Sequence, residues 1–257
     1  YGQLPDGSWG FAHSVEEANA MGFWSIHVDS MLMSILLGVI FMGLFYFVSR
    51  KATSGVPTGL QNGVEFLVEM VQGTIKNTFF GKNDLIGPLA LTIFCWIFMM
   101  NLMDLVPVDW IPLFAQFVAQ DNHLYFKAVP TTDINITAGF AISVFILVIF
   151  YSVKIKGMGG FLSEFAFHPF GKWAMPLNLV MELPSFFAKP VSLALRLYGN
   201  MFAGEMIFMV IALVGFAQLP LHFAWAVFHI LIITLQAYLF MMLTVVYLNQ
   251  AHTKADH

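Results

Sequence analysis

Charge is what this sequence has least of. Only 10% of its 257 residues are Asp, Glu, Lys or Arg, while 59% are hydrophobic and the mean hydropathy is +0.78. Soluble domains carry about 25% charged residues, so a chain this poor in them has no polar coat to hold a globule in water. Cysteine is almost missing too. Cys95 stands alone in an apolar run, which excludes an intrachain disulfide. There is no Cys-x-x-Cys pair, no His-Glu-x-x-His helix and no Walker-type phosphate loop. Metal-centred and nucleotide chemistry therefore have no residues to rest on, and no cofactor is expected. No internal repeat is visible. What is present is 28 Phe, 16 Met and long apolar stretches, the composition of an all-α polytopic membrane protein. Tyr1 is not a start Met, so a further N-terminal segment with any targeting signal is expected to precede it.

A spanning helix needs about 20 predominantly apolar residues. Ser30–Ser49 holds no charge between Asp29 and Arg50. Leu85–Met103 lies between Asp84 and Asp104, with Pro88 acceptable in a first turn, and Ile134–Val153 lies between Asp133 and Lys154. These are three predicted transmembrane helices. Further on, Pro176–Leu219 is apolar but broken by Glu182, Lys189, Arg196 and Glu205, and Leu221–Gln250 carries no Asp, Glu, Lys or Arg. A helix of about 40 residues reaches roughly 60 Å, twice the hydrocarbon thickness. Region 173–250 thus reads as a long, strongly tilted helical hairpin that turns at Gly215–Pro220, with Pro184, Pro190 and Gly199 as sites for kinks. Val64, Leu67, Val68, Val71 and Ile75 recur at helical spacing opposite Glu65, Glu69, Gln72 and Lys76. They predict an amphipathic helix on the membrane interface, though a surface-loop helix fits the same pattern.

Basic residues orient the chain. Arg50, Lys51, Lys76 and Lys82 follow the first span, and Lys154, Lys156 and Lys172 follow the third. The loop Asp104–Asp133 holds four Asp and only Lys127. The positive-inside rule then places the N-terminus outside and the C-terminus in the cytoplasm. Residues 1–29 form an extracytoplasmic segment and 30–257 a single integral membrane domain.

Arg196 is the outstanding residue, a guanidinium expected to lie buried in an apolar helix. A charge at mid-bilayer costs about 2.5–3.5 kcal/mol on insertion scales, and Arg cannot escape it by losing its proton. Steps of three or four from Asn178 give Glu182, Ser185, Lys189, Ser192, Arg196 and Asn200, all polar, along one predicted helix face. His222, His229 and Gln236 recur by sevens in the last helix, followed by Tyr247. Simpler roles fit several of them. Lys189 suits a lysine snorkelling to the interface, Ser185 and Ser192 suit hydroxyls bonded to helix carbonyls, and His222 suits an interfacial residue. Pairing of Arg196 with Glu182 or Glu205 is the structural alternative for the arginine. Glu205 sits roughly on the opposite helix face, which disfavours it.

The string Ser192-Leu-Ala-Leu-Arg-Leu-Tyr-Gly-Asn-Met-Phe-Ala-Gly-Glu205 resembles the signature of subunit a of the bacterial F-type ATP synthase. Phe228-His-Ile-Leu-Ile-Ile-Thr-Leu-Gln-Ala-Tyr-Leu-Phe240 resembles its last helix. Lys51-Ala-Thr-Ser-Gly-Val-Pro57 and Asn101-Leu-Met-Asp-Leu-Val-Pro107 resemble its first loop and second span. The resemblance implies a stator in the bacterial inner membrane, set against a ring of c subunits, with peripheral-stalk b subunits as further partners. Lipid surrounds it, and no nucleic-acid partner is expected. It implies two offset half-channels for a proton, with Arg196 between them holding the ring carboxylate ionised and blocking a leak. Glu205, His229, Asn200 and Gln236 would belong to the outer half-channel, with Asp104 and Asp109 at its mouth. For Asp104 a plainly solvated span-end carboxylate is the other reading. Glu182, Ser185, Ser192 and Lys189 would line the cytoplasmic half-channel. A cation-coupled secondary transporter or a self-sufficient pore also needs charges in the membrane, but transporters of that kind usually show repeats.

Overall fold

Long charge-free runs become long helices, because a backbone out of water must satisfy its polar groups within its own segment. In the computed structural model, which describes residues 1–4, 8–12, 20–22, 25–53, 55–57, 59–81, 83–106, 110–120, 126–167 and 175–253, seven α-helices follow one another. They are α1 (Val28–Lys51), α2 (Leu60–Thr78), α3 (Ile86–Leu102), α4 (Trp110–Ala119), α5 (Ile134–Phe167), α6 (Met175–Ala212) and α7 (Gln218–His252). Among the described residues five helical segments are long and apolar enough to cross a membrane: α1, α3, α5, α6 and α7, with their short extensions. Helices stand at each of the three predicted spans and along both arms of the predicted hairpin. The turn between the arms contains Gly215 at φ +70, a backbone angle that suits glycine.

Some boundaries differ from the sequence reading. The apolar run of α5 stops at Val153, yet helical turns continue to Phe167 and break at Gly157, where φ is 75° and ψ 163°. Lys154 and Lys156 thus sit on helix rather than loop. α6 carries Pro184 and Pro190 inside one continuous helix, as does Gly199. α1 begins at Val28, inside the segment expected to precede the membrane domain. That segment also holds the one departure from an all-helical chain among the described residues, a two-stranded ladder of Gly2–Gln3 with Trp9–Gly10. Lys82, Lys172 and the start of the hairpin at 173 lie outside the described residues.

The core lies where α3 and α7 meet α6. Ile97, Met100, Leu197, Ala237, Phe240 and Met241 are fully buried there. Asn83 meets His252 at one end of the α3–α7 pair and Asp104 meets His229 at the other, so the two helices run antiparallel. Over the residues of the predicted amphipathic element the chain forms the helix α2. Its stripe turns inward: Val71 is buried, and Leu67, Met70 and Ile75 pack on the core, while Glu65, Glu69, Gln72 and Lys76 are exposed.

Candidate functional site

α3 closes in a single tighter turn, Met103–Leu105, where the Val106 amide donates to Met103 O at 3.1 Å. This turn holds Asp104 inward, with 5% of its surface exposed. The Asp104 Oδ2 lies 2.5 Å from His229 Nε2 on α7, and both side chains are out of solvent. A buried carboxylate with a hydrogen-bond donor this close is a satisfied group, not the solvated span end allowed above. The ring is boxed in by Phe208 and Trp225, whose centroids lie 5.6 and 6.1 Å away. Gly204 on α6 makes the room. A Cβ built there would come 2.9 Å from His229 Nδ1 and 3.0 Å from Nε2. The same ring's Nδ1 is buried without a hydrogen-bond partner.

Two helical turns along α7, Gln236 is also buried, and its Oε1 accepts from Asn200 Nδ2 on α6 at 2.6 Å. Its Nε2 has no partner. Asn101 on α3 is fully buried with neither amide atom bonded. The antiparallel register of α3 and α7 puts it between the levels of His229 and Gln236. Each unsatisfied buried polar group costs about 1–3 kcal/mol, so a packing core would not collect three at one interface. His229, Asn101 and Gln236 thus keep hydrogen-bonding capacity that their protein neighbours do not use.

At Asn200, which is exposed, this line of polar side chains reaches the surface. Arg196, one helical turn earlier on α6, is exposed on the outside of the chain, correcting the expectation of a buried guanidinium. Among the described residues it makes no ion pair with Glu182 or Glu205. Glu205 is half-buried and follows Gly204, which lies against the His229 ring, so it stands at about the level of His229. The hydrogen bond of His229 goes to Asp104 rather than to Glu205.

The lower track does not stay on one face. Asn178 is buried, Glu182 and Lys189 are half-buried, and Ser185 and Ser192 are exposed. Ser185 donates to Met181 O at 3.0 Å, the carbonyl-satisfying role. Lys189 Nζ donates to Gln250 Oε1 at 3.1 Å, and Lys156 Nζ donates to Gln250 O at 3.1 Å. Both cations thus sit at the C-terminal end of α7, where the helix dipole favours them. His222 is tied to backbone, with Nε2 3.2 Å from Phe208 O, so it clasps the two arms of the hairpin near their turn. Asp109 lies outside the described residues. Asn101, Gly204 and Trp225 were not singled out from sequence. For Asn101 the available signal was an amide three residues before Asp104, on the same helix face.

A bundle with five helices long and apolar enough to cross a membrane, carrying buried polar side chains and an exposed arginine, defines a multi-pass membrane protein. Comparison with known proteins gives the family: the ATP synthase A chain family matches residues 31–249. "ATP synthase subunit a 2" of Hahella chejuensis is 58% identical over 258 residues, covering 100% of this chain and 93% of that protein. "ATP synthase subunit a" of Marinomonas sp. is 56% identical, and that of Pseudomonas paraeruginosa 55%, each over 98% of this chain and 92% of the relative. This chain belongs to the ATP synthase A chain family.

Proposed function

We propose that this chain is the stationary proton-channel subunit of a bacterial F-type ATP synthase, lodged in the inner membrane beside a ring of c subunits. It binds no nucleotide itself and is coupled to ATP synthesis or hydrolysis through the rest of the complex. The observation that carries this reading is the polar line running from the buried Asp104 and His229, past the buried Asn101 and Gln236, to the exposed Asn200 and Arg196.

Protons enter by an outer half-channel through Asp104, Glu205 and His229. Asp109 stands at its mouth by its place in the sequence. The protons pass along Asn101, Gln236 and Asn200 to a carboxylate carried by the ring. A carboxylate beside the Arg196 guanidinium is held ionised, because a neighbouring cation lowers a carboxyl pKa by about 1–3 units. Protonated again, it can turn away into lipid. The exposure of Arg196 supports this division of labour, since a group that serves another chain must face outward. Glu182 and Ser192 serve the cytoplasmic half-channel, with Ser185 and Lys189 at its border. The steep hairpin lets one helix pair serve both leaflets, and α2 lies along the cytoplasmic surface. The N-terminus is outside, the C-terminus is cytoplasmic, and the b subunits hold the chain against rotation.

The test is Arg196→Ala in the assembled complex. ATP-driven proton pumping and coupled synthesis should both be lost while the complex still purifies intact. Normal coupled synthesis in that variant would overturn the reading.

A further inference from the structure

Two helices outside the five apolar ones, α2 and α4, use their apolar stripes in opposite ways. α2 spends its stripe on the core, with Val71 buried against Leu67 and Ile75. α4 does not. Trp110, Leu113, Phe114 and Phe117 fall at positions i, i+3, i+4 and i+7, and their exposures are 67, 59, 69 and 81%. Ile111, Pro112, Ala115 and Gln116 turn partly toward the protein. None of the ten residues Trp110–Ala119 is charged.

The ends of this segment are fixed at one end of the bundle. Before α4, the turn Met103–Leu105 is held by the Asp104–His229 bond. After it, the Lys127 amide donates to Asp29 Oδ2 at 2.9 Å, in the first turn of α1, and Lys127 Nζ donates to Thr132 O at 2.7 Å. Gln120, at φ 54°, stops the helix with a left-handed residue. α4 therefore stands where the spans leave the membrane. At about 15 Å it is half as long as the hydrocarbon core is thick, so it cannot cross. A charge-free aromatic stripe in water would be a large exposed apolar patch, which membrane-surface segments hide in lipid.

We propose that α4 is a monotopic anchor, lying along the leaflet at the Asp104 end of the bundle with Trp110, Leu113, Phe114 and Phe117 in its phospholipid acyl region. This places a lipid-facing helix between the two segments that carry Asp104 and Lys127. It fixes their depth at the mouth of the outer half-channel. The occupant is the phospholipid of the surrounding bilayer: the stripe has no charge to select a headgroup, and its one polar atom, the indole N–H of Trp110, suits the headgroup boundary where tryptophans gather.

Assembled complexes in phosphatidylcholine vesicles test this. In a Cys95→Ala background, Leu113→Cys, Phe114→Cys, Phe117→Cys and Ala115→Cys are each labelled with a small fluorophore. Labels at 113, 114 and 117 should be quenched severalfold more by lipid carrying a spin label at carbon 5 than by aqueous iodide, and position 115 should be quenched less by that lipid. Iodide quenching at the three stripe positions would place α4 in water, and quenching by neither reagent would place a protein neighbour over it. Stronger quenching by a spin label at carbon 16 would make α4 a deep re-entrant segment. Any of these three overturns the proposal. Unlabelled native complex gives a second reading. Phosphatidylcholine with a photoactivated carbene in its acyl chain should leave adducts on residues 110–117, and their absence contradicts the anchor even if a cysteine variant fails to assemble.

Discussion

His229 Nε2 and Asp104 Oδ2 lie 2.5 Å apart across 125 residues of sequence, with both side chains out of solvent. This bond ties the C-terminal end of α3 to the N-terminal third of α7. It places a carboxylate and an imidazole, the two side-chain types best suited to relaying protons near neutral pH, in contact within an apolar wall.

Asp104→Asn keeps an oxygen that can accept from His229 but removes the charge. The complex should assemble, and ATP-driven proton pumping should fall severalfold. Asp104→Ala leaves the imidazole with no partner at all and should cost about 1.5–3 kcal/mol of stability, seen as a lower melting temperature of the purified complex. Equal pumping by wild type and Asp104→Asn would make the pair a packing device only.

Gly204 is the position where one methyl group should do the most harm. Gly204→Ala drives a Cβ into the His229 ring, and such overpacking costs about 1–3 kcal/mol. Pumping should drop sharply. Adding His229→Ala should restore assembly by removing the clash without restoring the wild-type rate. A Gly204→Ala complex that pumps normally would show that the ring is free to move aside.

Lys189 is held by Gln250 and lies 5.8 Å from the Tyr247 ring centroid. Lys189→Gln retains an amide donor for the Gln250 oxygen, so most of the pumping rate should survive. Complete loss would put the ammonium charge itself in the cytoplasmic path.

Orientation has its own check. Seven of the loop cations counted from sequence fall on one side of the membrane and only Lys127 on the other. A reporter fused after His257 should read as cytoplasmic. A periplasmic readout would invert both half-channels.

Much of the fold was legible because it follows from runs without charge. The run from Ser30 to Ser49 predicts α1 to within two residues at each end, and the turn read at Gly215–Pro220 overlaps the observed one between Ala212 and Gln218, with Pro220 taken into the first turn of α7. The continuation of α5 was hidden because hydropathy ends at Val153, although helix formation does not require apolar residues. α4 was hidden because its ten residues are too few to register as a span. Within the site, the residue types were readable from the Ser192–Glu205 and Phe228–Phe240 strings, but their pairing was not. A sequence places Asp104 at the end of a span without saying that its partner waits on a helix 125 residues later. Hydropathy likewise places Arg196 in the membrane without choosing its face. Only the packing of Leu193 and Leu197 inward turns the guanidinium outward.

The central claim is that water and protons reach the exposed arginine from outside, along the line through Glu205 and His229. Its most direct test is thiol accessibility in the assembled complex, in a Cys95→Ala background, with a small water-soluble reagent added from one side at a time. Glu205→Cys and His229→Cys should react from the outer side, and Ser185→Cys and Ser192→Cys from the cytoplasmic side. Glu205→Gln should also slow pumping. If positions 205 and 229 stay unreactive from outside and Glu205→Gln pumps at the normal rate, these side chains are packing groups and the proton path lies elsewhere.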